Sequence, residues 1–330
     1  MKMTQTTVII PNYNGMKYLE PCLTSLFASE PQGEDGTVSF CVTVVDNGSD
    51  DGSVDYIRQH FPQVKLICFE ENKGFCAAVN AGILASDTPF VLLLNNDTTV
   101  EDKFVSFMTE AISENAGFFS VGAKMVSMQE PDRVDTAGDF YCALGWAFAR
   151  GKGKAASRYT RACDIFSACA GAAIYRRDVL EQIGLFDETH FAYLEDMDLG
   201  YRARLYGYRN RFEPRAVVHH AGSAFSGSRY NAFKVRLSSR NSVYLIGKNM
   251  PPLQILINLP FLVMGFLVKY LFFVRKGFGG IYAKGLWKGL KLACSDEGRA
   301  KHVPFTWRRL PQYVRVEWEL LCNIFRRVTD

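Results

Sequence analysis

The stretch Leu92-Leu93-Leu94-Asn95-Asn96-Asp97-Thr98 is an apolar run that ends abruptly in two amides and one carboxylate. A buried strand has no use for an aspartate at its carboxyl end unless that side chain faces a cleft. Oxygen ligands at such a point suit a hard divalent cation, Mg²⁺ or Mn²⁺, which in turn can hold a diphosphate. The stretch therefore predicts a buried strand followed by a metal site at Asp97; the alternative is that Asp97 only begins the next helix or turn.

Short β-rich runs alternate with helical patterns through the first 126 residues. We predict strands over 7–10, 41–46, 64–69 and 90–94, and helices over 16–28, 53–60, 76–85 and about 101–113. Because these strand runs do not alternate polar with apolar residues, they are typical of buried parallel strands joined by right-handed crossovers. The fold class is therefore α/β with a mainly parallel sheet flanked by helices.

Each predicted strand ends in polar residues, and parallel strands bring such ends to one edge of a sheet. The four ends are Pro11-Asn12-Tyr13-Asn14, Asp46 to Gly52, Glu70 to Phe75, and Asn95-Asn96-Asp97. Ligands of open α/β sheets bind outside the carboxyl ends of the strands, where the strand order reverses. A strand order of 3-2-1-4 would place strands one and four beside that point.

Charge is unevenly distributed along the 330 residues, of which 48% are hydrophobic and 22% charged. Residues 251–330 carry 13 Lys and Arg against 5 Asp and Glu, whereas residues 1–250 are net acidic. A basic, apolar tail on an acidic body indicates an anionic membrane surface rather than nucleic acid. The nine cysteines are odd in number and form no C-x-x-C pair, so we expect free thiols in a reducing compartment.

The segment from Leu253 to Val274 is 22 mostly apolar residues, long enough to span a bilayer as a helix. Basic residues lie on both sides of it, and a single span would carry one basic flank across the membrane against the positive-inside rule. A kinked hairpin or a helix lying in the membrane surface satisfies both flanks better. Lys284, Lys288 and Lys291 on one face of the next helix support the second reading. A dimer interface or packing on the catalytic body is the alternative.

Several ordered motifs between residues 6 and 250 resemble family-2 glycosyltransferases of the GT-A fold, in particular bacterial rhamnosyltransferases. They are Val8 to Asn14, Val44 to Ser53, Glu71 to Phe75, Leu94 to Asp97, Ala170 to Arg177, Gly184 to Glu188, Leu194 to Leu199, Val217 to His220 and Arg240-Asn241. The resemblance implies an inverting enzyme that moves a sugar from a nucleoside diphosphate sugar, dTDP-rhamnose or a UDP-sugar, to a hydroxyl of a lipid-linked or polysaccharide acceptor.

The resemblance also implies roles for single residues. Asp196 would be the general base, with Gly171 and Glu195 on the acceptor side, and Asp97 would hold the metal together with His219, which fits the family position better than His220. The donor would be bound by Pro11, Asn12, Tyr13, Asn14, Asp46, Asn72, Lys73, Gly74, Asn95, Asn96, Arg229 and Arg240. Asn95 stands where the usual D-x-D pattern has its first carboxylate.

Asp46 and Gly74 each have a local alternative to a donor contact, and the nearby Asp198 and Arg202 have a local role of their own. Asp46 either accepts the imide N–H of a pyrimidine base or caps the turn that follows it. Gly74 either lets phosphate approach the start of a helix or makes a plain turn. Asp198 and Arg202 are predicted to form an ordinary i,i+4 ion pair rather than to touch a ligand.

We therefore expect a catalytic domain over residues 1–250, with a nucleotide-binding half (1–126) and an acceptor-side half (127–250). A membrane-associated helical tail would follow over 251–330, at the cytoplasmic face of the cell membrane, and a homo-oligomer is compatible with it. Two other functional classes are compatible with an α/β sheet of this kind. A nucleotidyltransferase would need a basic triphosphate loop after strand one, where only Lys17 is near. A non-catalytic nucleotide-sugar sensor could do without Glu195-Asp196.

Overall fold

The computed structural model describes residues 5–30, 39–222 and 230–329. The strands are β1 Thr6–Asn12, β2 Phe40–Asp46, β3 Lys65–Cys68, β4 Phe90–Leu94, β5 Thr98–Val100, β6 Phe118–Ser127, β7 Val134–Thr136, β8 Asp139–Cys142, β9 Trp146–Ala149, β10 Cys163–Ile165, β11 Ala172–Arg176 and β12 Arg209–His220. The α-helices are α1 Met16–Ala28, α2 Ser53–His60, α3 Phe75–Leu84, α4 Phe104–Ser113, α5 Arg177–Ile183, α6 Glu195–Leu205, α7 Ala232–Asn249, α8 Pro252–Arg275, α9 Gly279–Cys294, α10 Asp296–Ala300 and α11 Leu310–Thr329.

The main sheet has the strand order β10-β12-β6-β11-β4-β1-β2-β3. Strands β3, β2, β1 and β4 are parallel neighbours, which confirms the order 3-2-1-4. Beyond β4 the sheet is mixed, because β11 runs antiparallel to both β4 and β6 while β12 is parallel to β6. The prediction of a mainly parallel sheet therefore holds for the first half of the chain only.

Both faces of the sheet are buried, which explains why its strands show no polar alternation. Val8 and Leu92 pack on one face with residues of α1 and α4. Ile9 and Leu93 point to the other face, where they pack with residues of α3, α5 and α6. All nine cysteines lie in the described ranges and are free thiols.

One predicted helix begins later than expected. Instead of starting near Glu101, α4 starts at Phe104, and the preceding residues Thr98–Val100 form β5, which pairs antiparallel with the end of β12. The reason is tertiary, since the partner strand lies about 120 residues further along the chain. This pairing brings Asp97 beside the histidines at the end of β12.

The C-terminal helices share the core of the rest of the molecule. Val316 and Leu320 of α11 are buried in the same cluster as the residues under the sheet. The Asn323 amide donates to the Tyr141 carbonyl at 2.8 Å. Residue 250 therefore does not separate two hydrophobic cores.

Helix α8 is, in the described part of the chain, the one helix long and apolar enough to cross a membrane, with a mean hydropathy of 2.0. Part of the predicted apolar face of α9 is covered by protein. Tyr282, Gly285 and Gly289 of α9 are buried, and a Cβ at Gly289 would lie 2.3 Å from the Arg240 carbonyl oxygen of α7. Tyr282, Gly285 and Gly289 therefore pack on the protein itself, as the alternative to membrane contact expected, while Trp287 and Leu290 are exposed.

Candidate active site

The polar ends of β1, β2 and β4 form one buried hydrogen-bond chain. The Asn12 amide donates to Asp46 Oδ1 at 2.9 Å, and the Asn96 amide donates to Asn12 Oδ1 at 2.7 Å. Because Asn96 precedes Asp97, this series of hydrogen bonds links the end of β2 to the predicted metal ligand. The structure therefore brings Asn12, Asp46, Asn96 and Asp97 together at the edge where the sequence placed them.

Asp46 acts within its own turn. Its Oδ1 accepts from the Ser49 hydroxyl at 2.6 Å and its Oδ2 from the Ser49 backbone N–H at 2.9 Å, and the residue is 1% exposed. The turn-capping alternative thus describes the contacts seen, and recognition of a base by Asp46 stays a prediction. Pro11 lies in β1 opposite Val45, and Asn14 accepts from the Asp50 backbone N–H at 3.0 Å.

The segment after β3 is held by the protein itself. Asn72 Oδ1 accepts from the Asn47 amide at 3.0 Å and from the Gly74 backbone N–H at 2.9 Å. Lys73 lies with its ammonium 5.0 Å from the centre of the Phe69 ring. Asn72 and Lys73, the two residues before Gly74, therefore have structural roles in addition to the donor contacts predicted for them.

The start of α3 is closed to phosphate. The backbone N–H groups of Phe75 and Cys76 both point at the Phe191 carbonyl oxygen, at 2.8 and 3.4 Å. A Cβ on Gly74, whose φ is +90°, would lie 2.6 Å from the Phe191 ring. Gly74 is needed for this close approach, so the prediction of direct phosphate binding at Gly74 is corrected to the turn alternative.

His220, not His219, lies against Asp97. His220 Nε2 is 3.4 Å from Asp97 Oδ1, and its Nδ1 is 2.7 Å from Asp135 Oδ2. His219 Nε2 is instead 2.9 Å from Glu101 Oε1. Successive residues of a strand point to opposite faces, so only one histidine can face the cleft. The preference for His219 as the metal-side residue is therefore corrected to His220.

The electrostatics around His220 are those of a charged cluster. Burial lowers the pKa of the His220 imidazole, but hydrogen bonds to Asp135 and Asp97 outweigh burial and raise its pKa to about 9. Burial would raise the pKa of Asp135, yet His220 and Lys152 hold it well below its ordinary value. Asp97, Asp135 and His220 thus form a compact carboxylate–imidazole group.

Asp196 lies in the first turn of α6, beside the segment that precedes β11. Its Oδ1 accepts from the Met197 backbone N–H at 2.7 Å and its Oδ2 from the Ala170 N–H at 3.4 Å. Gly171 follows directly, and its carbonyl accepts from the Asn95 backbone N–H at 2.9 Å. Burial raises the pKa of Asp196 despite these N–H contacts. That direction suits a general base, which works best with a pKa near the operating pH.

The sequence did not single out three residues near Asp196 and His220, namely Asp135, Asp139 and Cys169. Ligand atoms of Asp139, Cys169 and Asp196 lie within 4.8 Å of one another, and burial together with Asp196 raises the pKa of Asp139 well above its ordinary value. Asp135 lies in a part of the sequence that shows no regular helix or strand periodicity. Acidic residues beside Gly138 were the only local signal, and their position depends on the pairing of β7 with β6.

Arg240 does not face the cleft. Its guanidinium donates to the carbonyls of Thr189 and His190 at 2.7 and 2.9 Å, and its Nε donates to Asn241. The Asn241 amide donates to the same His190 carbonyl and to the carbonyls of Ala192 and Tyr193. Arg240 is therefore corrected from a donor contact to a support of the loop before α6. Arg229 lies outside the described residues.

An open cleft of about 1120 Å³ lies against the Asp97–His220–Asp135 group. Its described walls include Tyr13 and Asn72 from the strand ends, and Asp97 with His220. Aromatic side chains of the loop before α6 and of α7 close the opposite side, among them Tyr193. The cleft has the size of a nucleotide-sugar pocket and carries oxygen ligands on one wall.

Comparison with known proteins agrees with this geometry. The family model "Glycosyl transferase family 2" matches residues 7–184. The chain is 26% identical over 239 residues to an N-acetylglucosaminyl-diphospho-decaprenol L-rhamnosyltransferase of Mycobacterium tuberculosis, covering 64% of this chain and 75% of that protein. It is 22% identical over 210 residues to a poly-beta-1,6-N-acetyl-D-glucosamine synthase of Staphylococcus epidermidis, covering 62% of this chain and 47% of that protein.

Solved structures share the fold. TarS of S. aureus in complex with UDP-GlcNAc superposes with a TM-score of 0.56 at 18% identity, over 90% of this chain and 84% of that one. A mannosyltransferase of Pyrobaculum calidifontis, in complex with GDP-Man and Mn²⁺, gives a TM-score of 0.55 at 16% identity, over 96% and 88%. The sheet is thus GT-A-like, and the family match covers more than half of the chain. The protein belongs to glycosyl transferase family 2 and is a glycosyltransferase.

Proposed function

We propose that the chain transfers a sugar from a nucleoside diphosphate donor to a hydroxyl of a lipid-linked or polysaccharide acceptor, with inversion at the anomeric carbon. The observation that carries this is that the Asp97–His220–Asp135 group and the half-buried Asp196 both lie near Asp139, whose pKa is raised by burial, by Asp196 and by Asp135. One side offers ligands for a diphosphate-bound cation, and the other offers a base. The relatives act on a decaprenyl-diphosphate-linked sugar or build a polysaccharide, by their names.

The residues of the first group fit a divalent cation. Asp97 would supply a carboxylate oxygen. His220 would supply its Nε2 nitrogen once the metal displaces the proton there, while its Nδ1 is held by Asp135 at 2.7 Å. A carboxylate behind a histidine ligand fixes its ring orientation and is a common feature of metal sites. Bound Mg²⁺ or Mn²⁺ would neutralise charge on the departing diphosphate.

The chain's own residues perform the rest of the reaction. Asp196 takes the proton of the acceptor hydroxyl, whose oxygen then attacks the anomeric carbon from the face opposite the diphosphate. The bond from that carbon to the diphosphate oxygen breaks, and the nucleoside diphosphate leaves with the electron pair. Asn12, Tyr13, Asn72 and Asn95 would bind the base and ribose side of the donor. Glu195 and Gly171 would line the acceptor side.

The donor class we favour is dTDP-rhamnose or a UDP-sugar, and the site of action is the cytoplasmic face of the cell membrane, with residues 251–330 on the membrane surface. The similarity to the mycobacterial rhamnosyltransferase supports the first donor. Family membership leaves a nucleotidyltransferase or a non-catalytic sensor without support.

A donor screen tests the proposal. The purified chain is incubated with a panel of nucleoside diphosphate sugars, with Mn²⁺, with Mg²⁺ or with a chelator, and released nucleoside diphosphate is measured. We expect release from one donor class, dependent on the ion. Turnover that is equal with chelator, or absent with every donor and acceptor extract, contradicts the proposal.

The two adjacent histidines provide a matched pair of variants. His220→Gln should raise the Mn²⁺ concentration needed for half-maximal activity by roughly 10–100-fold, in the range seen when groups around a metal are lost. His219→Gln changes the same side chain one residue away and should leave that concentration unchanged. Equal effects of the two variants would contradict the assignment of His220.

A further inference from the structure

An apolar groove of about 560 Å³ lies between the first turns of α8, residues 305–307 and α11. Its lining is almost wholly aliphatic and aromatic. Leu253, Trp307 and Trp318 belong to it and are 68%, 79% and 68% exposed. Exposed apolar surface of this extent, next to further apolar surface, marks an interaction site.

Helix α11 carries an apolar stripe on its outer side as well as on its inner side. The inner stripe, with Val316 and Leu320, is buried against the core. The outer stripe follows the helical spacing and stays exposed; its members are Leu310, Val314, Trp318, Phe325 and Val328. A helix of a soluble domain normally buries one such stripe and keeps the other side polar. The outer stripe of α11 is therefore free for a partner.

Helix α8 is fixed along one side to the catalytic body. The Trp146 indole N–H donates to the Gly265 carbonyl at 3.0 Å, and a Cβ on Gly265 would lie 2.1 Å from the Leu144 carbonyl oxygen. The buried Asn258 amide donates to both carboxylate oxygens of Glu317 in α11, at 2.9 and 2.8 Å. A transmembrane orientation would have to break these contacts and leave polar groups in hydrocarbon.

The opposite side of α8 is apolar and exposed along its whole length. Leu256, Val263, Leu267 and Leu271 are between 52% and 65% exposed. Leu253 and Ile257 belong both to this side and to the groove. The outer side of α8, the groove and the outer stripe of α11 are thus continuous, and we call them the apolar surface.

Cations surround the apolar surface. Arg308 follows Trp307, Arg315 follows Val314, and Lys288 follows the exposed Trp287; all three cations are exposed. Residues 251–330 carry 13 Lys and Arg against 5 Asp and Glu. A second copy of the chain would bring like charge to this region, whereas anionic lipid headgroups bring the opposite charge. The charge favours a membrane over a dimer.

We propose that the apolar surface docks in the plane of an anionic bilayer, with α8 lying in the interface rather than crossing it, and that the groove takes up a lipid hydrocarbon chain. Tryptophans and cations around an apolar face are typical of interfacial helices. The proposal deepens the proposed function by giving the enzyme its place beside a lipid-linked acceptor. Its test requires no turnover.

Vesicle flotation of the full chain measures docking. Vesicles of phosphatidylcholine with 30 mole per cent phosphatidylglycerol, about the anionic content of a charged membrane surface, are compared with phosphatidylcholine alone. Val314→Glu, in the groove, should lower the partition into anionic vesicles at least tenfold, on the order expected for a charge placed in an interface. Leu84→Glu changes an apolar side chain that is 72% exposed at the end of α3 and should bind like the wild type.

Fluorescence quenching tests the groove itself. Vesicles with brominated acyl chains should quench the emission of the wild type, and Trp307→Phe with Trp318→Phe should remove most of that quenching. Circular dichroism of each variant confirms that it is folded. Vesicle binding by Val314→Glu equal to that of the wild type, or absence of quenching in the wild type, overturns the proposal.

Two other results would also overturn it. If Val314→Glu converts a dimer to a monomer while the wild type ignores vesicles, a second copy covers the surface. If the membrane-bound chain resists alkaline extraction, α8 spans the bilayer. Donor hydrolysis is followed in the same samples; loss of vesicle binding with unchanged release of nucleoside diphosphate separates this proposal from the proposed function.

Discussion

The first turn of α6 carries two carboxylates with opposite properties, Glu195 and Asp198. Glu195 and Asp198 are both buried, at 8% and 0% exposure. Burial and the neighbouring Asp196 raise the pKa of Glu195 to about 8, and its Oε2 has no hydrogen-bond partner among the described residues. Burial would raise the pKa of Asp198 too, but Arg202 and Lys248 hold it well below its ordinary value.

The comparison shows that partners, not burial, decide what a buried carboxylate does. Asp198 Oδ2 accepts from Arg202 at 2.8 Å and from Lys248 at 2.9 Å, and Lys248 also reaches Asp187 at 2.8 Å. Such a paired carboxylate stabilises the fold. Glu195 and Asp196 have no such cation among the described contacts, so they keep a raised pKa and can exchange protons, which is typical of functional sites.

The largest expected effect is on catalysis at the first turn. Asp196→Asn should lower the rate of transfer by roughly 10²–10⁴-fold, because the amide cannot accept the acceptor's proton. Donor affinity, measured by calorimetry with the nucleoside diphosphate sugar, should change little, and so should the urea midpoint. Retained turnover in this variant would reject Asp196 as the base.

Loss of a cation that pairs with Asp198 should change the stability of the fold rather than the rate of transfer. Lys248→Met removes a cation shared by Asp187 and Asp198 and leaves buried negative charge, so we expect a loss of about 3–5 kcal/mol in the free energy of unfolding. Lys276→Met removes an exposed lysine after α8 and should change it by less than about 0.5 kcal/mol. Similar urea midpoints for the two variants would show that the buried network does not stabilise the fold.

The contributions of Glu195 and Asp198 to the free energy of unfolding should depend on pH with opposite signs. Glu195, with its raised pKa, contributes stability that is fully present below the pKa of the unfolded chain and is lost as pH rises towards about 8. Asp198 contributes stability that is present above the unfolded pKa and is lost as the solution becomes strongly acidic.

Glu195→Gln isolates the first of these contributions. Between pH 5 and 8 a single group of this kind costs about 1.4 kcal/mol per pH unit. The variant should lose less stability over this range than the wild type, as measured by urea unfolding at several pH values. Parallel curves for the two proteins would mean that Glu195 is ionised in the folded state.

The smallest expected effect concerns the loop before α6. Phe191, Tyr193 and Leu194 have φ angles between 62° and 69°, a region that costs non-glycine residues free energy. Asn241→Ala removes the NH2 group that contacts three carbonyls of this loop and should cost about 1–3 kcal/mol of stability. It should lower kcat more than it raises KM, because the loop positions Asp196.

Ser238→Ala serves as the matched control for this prediction. It lies in the same helix, and its hydroxyl bonds only to carbonyls of α7 itself. Its stability should stay within about 0.5 kcal/mol of the wild type. If Asn241→Ala and Ser238→Ala behave alike in kcat and in urea, the loop does not depend on Asn241.

Much of the donor side could be predicted from local pattern. The runs before Asp46 and Asn95 are mostly apolar because both faces of the sheet are buried, and their alternation with helical patterns predicted parallel strands joined by right-handed crossovers. The polar ends then had to meet at one edge. For the same reason Asn12, Asp46, Asn96 and Asp97 were grouped correctly.

Residues whose position depends on distant pairing could not be predicted. The pairing of β12 with β6 shifts register between Glu213 and Val217, and that shift decides whether His219 or His220 faces Asp97. Pro214 lies inside this shift and is compatible with a bulge, but it does not fix how many residues the bulge holds, and both histidines follow the same apolar run. Arg240 likewise reads as a free cation until α7 is docked on the loop that it supports.

The sequence by itself determined the α/β class and the edge of the sheet that carries Asp97, since these depend on short-range periodicity and on residue type. Its ordered motifs also resembled the family, which the family model then showed. Only the tertiary structure decided that Phe191 closes the start of α3, that Asp198 is paired while Glu195 is not, and that α8 is bound along one side. Those features depend on contacts between segments far apart in the chain, and a one-residue change of register or of helix face reverses them.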